Sequence, residues 1–312
     1  VERQLRSDLY APGELEALIT PDTPRAQIDF VVYRSPLLRV GRWRCPGAHP
    51  EFADSGPASD TLFVFPRDSV WIQHDGSEPF VADMNTVTYY NAGQHYRRRQ
   101  LSAWGDRCEW FAFSPAVVAE ALAVHEPAAA DRPDRPFVFS HGPADADSYL
   151  QQRLVFAHIT CEREPDRLYV EETMLTVLGR VAGHAYQCRG SSDRVTARRR
   201  TARDVVEGAR DIIARQFHRD LSLTHIAQAV GTSVFHLSRV FRARTGFPLH
   251  QYRNQLRLRT ALEVLTGGAA DLSRLALDLG FSSHSHFTET FRRTFGCTPS
   301  SFRRDGAWRE PR

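Results

Sequence analysis

One segment of this chain occurs twice. IAQAVGTS, from Ile226 to Ser233, matches LALDLGFS, from Leu275 to Ser282, at an offset of 49 residues. After the glycine the second copy gains one residue. Leu237, Phe241, Gly246, Tyr252 and Arg253 therefore match Phe287, Phe291, Gly296, Phe302 and Arg303 at an offset of 50. In each copy a short run with small and apolar positions (Ile226, Ala227, Val230; Leu275, Ala276, Leu279) ends at a glycine, which can take the left-handed conformation of a tight turn. Ser222 and Asp271 stand where N-caps for these first helices belong. A second helix follows directly, with Leu237, Val240 and Phe241 facing inward in one copy and Phe287, Thr290 and Phe291 in the other. Helix, glycine turn, helix is a unit whose second helix can lie in a DNA major groove.

Charge separates this repeat from the rest. Val1 to Ala197 holds 20 arginines against 27 acidic residues, a net −7, whereas Arg198 to Arg304 holds 18 against 8, a net +10. There is no lysine, and the last eight residues balance. An acidic body joined to a basic module points to a polyanion partner for the second part alone.

The repeat and its surroundings resemble the AraC/XylS family of bacterial transcription regulators, in LSRVFRARTGFPLHQYR, RLRTALEVL and ALDLGFSSHSHFTETFRRTFGCTPSSFR. The match runs from about Arg203 to Arg304, a third of the chain. It implies two helix-turn-helix units joined by a long helix through PLHQYRNQLRLRTALEVLTGG. By analogy with the family's base-contacting positions, His284, Ser285, His286 and Glu289 approach base edges, while Arg292 and Arg293 meet phosphates. His284 and His286 lie two apart, about 200° around a helix, and are poor partners for one metal ion. The equivalent exposed positions of the first unit include Phe235, Ser238, Arg239 and Arg242. Phe235 suits a thymine methyl, and the planar fork of Arg239 fits guanine O6 and N7; the alternative for Arg239 is a phosphate contact or a surface salt bridge. Glu289 departs from the basic or neutral polar residue often found there. It either accepts from a cytosine amino group or pairs with Arg292 or Arg293.

Before residue 137 the chain shows short β-branched and aromatic runs separated by turn formers, the pattern of a sandwich or barrel. TLFVF and SVWIQH flank PRD and predict a hairpin; QIDFVVY, PFVAD, TVTYYN and CEWFAF are further strand candidates. Ser114 and Pro115 predict a helix start. From Asp145 to Tyr186, Leu150, Leu154, Ile159, Met174, Leu178 and Val181 recur at helical spacing, either as an internal packing face or as a dimer seam. Cys188 to Arg200 reads as a linker. Trp43, Trp71, Tyr89, Tyr90, Trp104 and Trp110 either line a ligand site in a barrel or fill its core. The five cysteines stand singly and read as reduced thiols; Cys45 and Cys108 with His49 or His95 give only a weak metal pattern. Cys45, in RWRCPGAH, has arginines beside it that would lower a thiol pKa, as a DNA-repair protein with this module would require. The run Arg97 to Arg99 reads equally as a solvated strand edge or an anion site.

The expected fold is α+β and multidomain: a cupin-like β-barrel or sandwich sensor over 1–136, a helical dimerisation segment and linker over 137–197, an all-α module with two helix-turn-helix units over 198–304, and a tail over 305–312. The expected partners are double-stranded DNA, a small-molecule effector, RNA polymerase and a second copy of the chain. The alternatives are a sensor for a protein partner and a metal-dependent cupin enzyme, the latter disfavoured because His49, His74 and His95 are isolated. No catalytic residue, metal or cofactor is expected. No apolar run approaches the ~20 residues of a membrane helix, and the first residues lack a secretory pattern, so the expected location is the cytoplasm.

Overall fold

The computed structural model describes residues 24–54, 56–102, 105–129, 131–132, 134–190, 196–266 and 271–304. After a single-turn helix α1 (Arg25–Ile28), the first part is built from β1 (Asp29–Arg34), β2 (Leu38–Cys45), β3 (Leu62–Pro66), β4 (Val70–His74), β5 (Phe80–Ala82), β6 (Thr86–Tyr90), β7 (Tyr96–Gln100), β8 (Asp106–Phe113) and, further on, β9 (His141–Pro143). They form two antiparallel sheets, one in the order β1-β2-β8-β3-β6-β9 and one in the order β5-β4-β7.

The inner strands β3 and β6 of the larger sheet are covered on both faces, which explains why they read without polar–apolar alternation. Val64, Tyr90, Trp110 and Ala112 point toward the smaller sheet and pack with Val70, Ile72 and Phe80. Their neighbours Phe63, Phe65, Tyr89, Phe111 and Phe113 point the other way, into a core shared with helices. Trp110 lies flat over Gly41, its partner across β2 and β8; a Cβ at Gly41 would sit 2.1 Å from the indole ring.

The predicted hairpin does not form. Both strands exist, but β3 pairs with β6 and β8 while β4 pairs with β5 and β7. The intervening Pro66-Arg67-Asp68 crosses between sheets because its polar groups are satisfied elsewhere. The N–H groups of Arg67 and Asp68 donate to the Arg107 carbonyl (2.8 and 3.4 Å), and Arg107 Nε donates to the Asp68 carboxylate at 2.5 Å. The arginine run forms β7, and its period of two divides the residues. Arg97 and Arg99 are exposed, while Arg98 turns inward, ion-paired with Asp106 and 4.3 Å above Trp43.

Ser114 caps α2 (Pro115–Ala123), as expected. Helices α3 (Ala146–Cys161) and α4 (Arg167–Gly190) pack together, and α5 (Thr196–Gln216) leads into the repeat; of the predicted linker Cys188–Arg200, the two ends are helical and residues 191–195 lie outside the described residues. Ile159, Met174, Leu178 and Val181 are buried within the chain, and Leu150 is partly buried against the second repeat unit. Leu154 is half-buried, and most of this face packs within the chain. The tail over 305–312 lies outside the described residues.

The repeat comprises α6 (Leu223–Ala229) and α7 (Val234–Thr245), then the connecting helix α8 (Leu249–Thr266), then α9 (Leu272–Asp278), α10 (His284–Phe295) and α11 (Pro299–Arg304). Helix α8 is buried on all sides over its second half. Leu258, Ala261, Leu262 and Leu265 enter the core of the second unit, whereas Tyr252 and Leu256 join the core shared with the sheet domain.

Candidate DNA-binding surface

The two units are built alike, and each feature traces to the repeated residues. The Ser222 hydroxyl accepts from His225 N–H (3.1 Å) at the start of α6, and Asp271 accepts from Ser273 and Arg274 N–H (2.8 and 3.2 Å) at the start of α9. Gly231 and Gly280 adopt φ of +68° and +81°, which an L side chain takes only at a cost. Past each glycine, Thr232 N–H and Phe281 N–H return to the Ala227 and Ala276 carbonyls at 2.9 Å and close the turn. Ser233 and Ser283 cap the second helices, and Gly246 and Gly296 end them with the same φ of +78°. Leu237 and Phe241 in α7 and Phe287 and Phe291 in α10 are fully buried, fixing each helix by one face.

The opposite faces are open. Phe235 (77% exposed), Arg239 and Arg242 of α7 are exposed and Ser238 is half-buried; His284, Ser285, His286, Glu289, Arg292 and Arg293 of α10 are all exposed. His284 Nε2 lies 3.4 Å from the Thr288 hydroxyl, while His286 Nδ1 lies 3.1 Å from the Ser282 hydroxyl with its ring edge-on to Phe281. The two imidazoles thus hold separate partners. Of the alternatives for Glu289, the free protein displays the ion pair: Arg292 donates to both carboxylate oxygens at 3.1–3.3 Å. Both side chains are more than half exposed, so the pair contributes little to stability and is available for exchange with a nucleic acid.

Arg257 locks the scaffold behind these faces. Its guanidinium donates to the carbonyls of Phe217 (2.7 Å), Gly280 (2.8 Å) and Arg219 (3.1 Å), joining the end of α5 to the second unit's turn. Burial pulls its pKa down to about 10, and it remains charged at neutral pH.

The sheet domain grips the same connecting helix. Arg259, fully buried, donates to the carbonyls of Met84 and Ala144 (2.9 Å to the latter) and lies 4.7 Å above the Tyr149 ring. Glu263 accepts from Arg67, from Tyr149 OH (2.9 Å), and pairs with Arg153 (3.0 Å). Tyr252 OH donates to Asp83 at 2.6 Å and accepts from Arg210 at 3.0 Å. Tyr252, Leu256, Arg259 and Glu263 form one stripe along α8. Sequence reading missed this stripe; polar residues at helical spacing inside a basic module look like a solvated face.

Two further expectations change. Cys45 is buried, and burial pushes its thiol up to about 12 in spite of Arg98 nearby, the opposite of an activated thiolate. Trp43, Tyr89, Tyr90 and Trp110 fill the core between and beside the sheets, leaving a cavity of about 60 Å³ there, well below the size of a small-molecule site. Trp104 lies outside the described residues.

This fold and surface define a double helix-turn-helix DNA-binding module. Residues 226–305 match the family profile described as a helix-turn-helix domain. Over 102 residues, 33% of this chain, the sequence is 36% identical to an uncharacterised HTH-type transcriptional regulator of Staphylococcus aureus, and over 88 residues it is 42% identical to the HTH-type transcriptional regulator GlxA of Rhizobium meliloti. The chain spans 14% and 26% of those relatives' lengths. A solved AraC-type transcriptional regulator from Chromobacterium violaceum is 31% identical over 33% of this chain and 92% of its own, with a TM-score of 0.32. The carboxyl-terminal third of the chain is a DNA-binding domain of the AraC/XylS family.

Proposed function

We propose that the whole chain is a sequence-specific regulator of transcription whose sheet domain conditions how the two recognition helices meet DNA. The observation that carries this reading is that α7 and α10 keep their polar faces open while their apolar faces and the connecting helix are built into the body of the protein. Phe235, Ser238, Arg239, His284, Ser285, His286 and Glu289 serve base edges, and Arg242, Arg292 and Arg293 serve phosphates. A single chain suits an asymmetric site whose halves occupy successive major-groove segments about 34 Å apart.

The resemblance to AraC/XylS regulators supports the finer parts of the reading: a cupin-like sheet domain over 1–136, activation through RNA polymerase, a cytoplasmic location and a homodimer. Among the described residues no helix is long and apolar enough to cross a membrane. Since the α3 and α4 face is occupied within the chain, a dimer uses another surface. A small-molecule effector acts by shifting the population of arrangements competent for DNA.

Selection of binding sites from random DNA with the full chain tests the proposal. One asymmetric sequence should be enriched, and its affinity should fall with salt at a log–log slope near −3 if three arginines neutralise phosphates, at roughly −0.9 each. Retention of no sequence by folded protein, or a flat salt response, would overturn it.

A further inference from the structure

The two recognition helices share one frame, so a difference between them is a difference in what they read. Ser233 and Ser283 cap them, Leu237 and Phe241 anchor the first, Phe287 and Phe291 anchor the second, and Gly246 and Gly296 end both with φ of +78°. Residues at equal distance past each cap therefore hold equal places. Three polar pairs keep their chemistry: His236 with His286, Ser238 with Thr288, and Arg242 with Arg292. Six residues past the cap the charge reverses, with Arg239 in α7 and Glu289 in α10.

That place points farthest from the core. At about 100° per residue it lies about 180° from the midline of the two buried anchors, and both side chains are exposed. A helix held by its opposite face and seated in a major groove turns this place toward the base edges.

Charge decides what each edge must offer. Arg239 carries only donors and makes no ion pair among the described residues; guanine supplies two acceptors, O6 and N7, that match its planar fork. An ionised Glu289 carries only acceptors. Guanine and thymine set carbonyl oxygens against a carboxylate, and adenine sets its N7 lone pair beside the amino group. Cytosine alone presents an amino N–H with no acceptor next to it. In the free protein Arg292 holds the carboxylate at 3.1–3.3 Å, with both side chains more than half exposed. Once Arg292 turns to a phosphate, Glu289 needs another donor, and the cytosine amino group is the one that fits.

We propose that the two units read G·C base pairs in opposite senses, Arg239 taking the guanine in one half-site and Glu289 the cytosine amino group in the other. The same frame thus reads different bases twice, which makes the operator asymmetric and fixes which unit occupies which half. This inference rests on the regulator reading and assigns one base to each of two equivalent residues.

The test starts from the site that the full chain selects out of random DNA and alters single groups within it. Parallel selections with Arg239→Ala and Glu289→Ala, both exposed positions, locate the two bases as those whose preference disappears. At the first, 7-deazaguanine removes the N7 acceptor; at the second, N4-methylcytosine puts a methyl group where the amino N–H faces the groove. Each analogue should weaken the wild-type chain by about tenfold, the effect of one charge-assisted hydrogen bond. The first loss should vanish in Arg239→Ala and the second in Glu289→Ala. Glu289→Arg should exchange cytosine for guanine at its position. A Glu289→Ala selection that keeps every base preference, wild-type affinity unchanged by either analogue, or a Glu289→Arg chain that still selects cytosine would each overturn the proposal. Those results sink the base assignment alone, whereas a wild-type chain that enriches no sequence sinks the regulator reading.

Discussion

Replacing Glu263 with glutamine removes one negative charge from a buried cluster without changing its shape. Four ionic side chains meet there: Arg67 at 9% exposure, Glu109 at 0%, Arg153 at 3% and Glu263 at 1%. Arg67 and Arg153 each pair with both carboxylates, so the cluster is neutral as built. In Glu263→Gln the two buried guanidinium groups keep Glu109 as their common carboxylate, and the cluster loses one negative charge. Breaking a buried pair in this way costs roughly 3–5 kcal/mol, a large part of the ~5–15 kcal/mol that holds a typical domain. Adding Arg67→Met restores neutrality, so the double variant should recover part of the loss. Urea unfolding of the full chain, followed by tryptophan fluorescence, measures each step of this cycle. A loss below about 1 kcal/mol for Glu263→Gln, or a double variant whose loss equals the sum of the single losses, would refute the charge argument.

Three other consequences are open to measurement. Arg239→Ala should relax base preference at one operator position by about 1–3 kcal/mol, while Arg292→Ala should weaken binding to all sequences alike; equal loss on every sequence for Arg239→Ala removes its assigned role. Gly280→Ala should destabilise the chain by more than the ~1 kcal/mol expected for Gly231→Ala. Both glycines have positive φ, but only at Gly280 would a Cβ meet backbone, 2.2 Å from the His218 carbonyl; equal melting temperatures would contradict this. Burial pulls the His74 pKa down to about 4 from an ordinary 6.5, so the folded state prefers the neutral ring. The stability this withholds from the protonated form is intact above pH 6.5 and is lost as pH falls toward 4, by about 3 kcal/mol in all. His74→Phe should flatten stability over that window, and an unchanged slope in acid titrations of both proteins would count against it.

What was legible in the sequence was local. Ser222, Ser233, Asp271 and Ser283 cap helices through bonds to residues two or three positions away, and the glycines act through their own φ, so a repeated string of residues repeats the structure. Strands were legible for the same reason, but their partners were not. TLFVF and SVWIQH carry the pattern of a hairpin, yet Arg67 is drawn to Glu109 and Glu263, residues 42 and 196 positions away, and the turn becomes a crossing between sheets.

The candidate DNA surface was readable because exposure on a recognition helix follows from the spacing of the residues it buries. The helical face containing Met174, Leu178 and Val181 was not decidable in the same way. Its periodicity is identical whether it meets the chain's own core or a second copy, and only the position of α3 and β9 against it selects the first. The stripe on α8 is harder still. Arg259 and Glu263 would be solvated if the DNA-binding module stood alone, and they become interior groups only because Met84, Ala144, Arg67 and Arg153 close over them. An interface lined with charged groups exposes less apolar surface on opening than one lined with leucines, so the free energy separating docked from open arrangements is the smaller. That makes the polar stripe on α8 the place where docked and open arrangements of the two recognition helices lie closest in free energy.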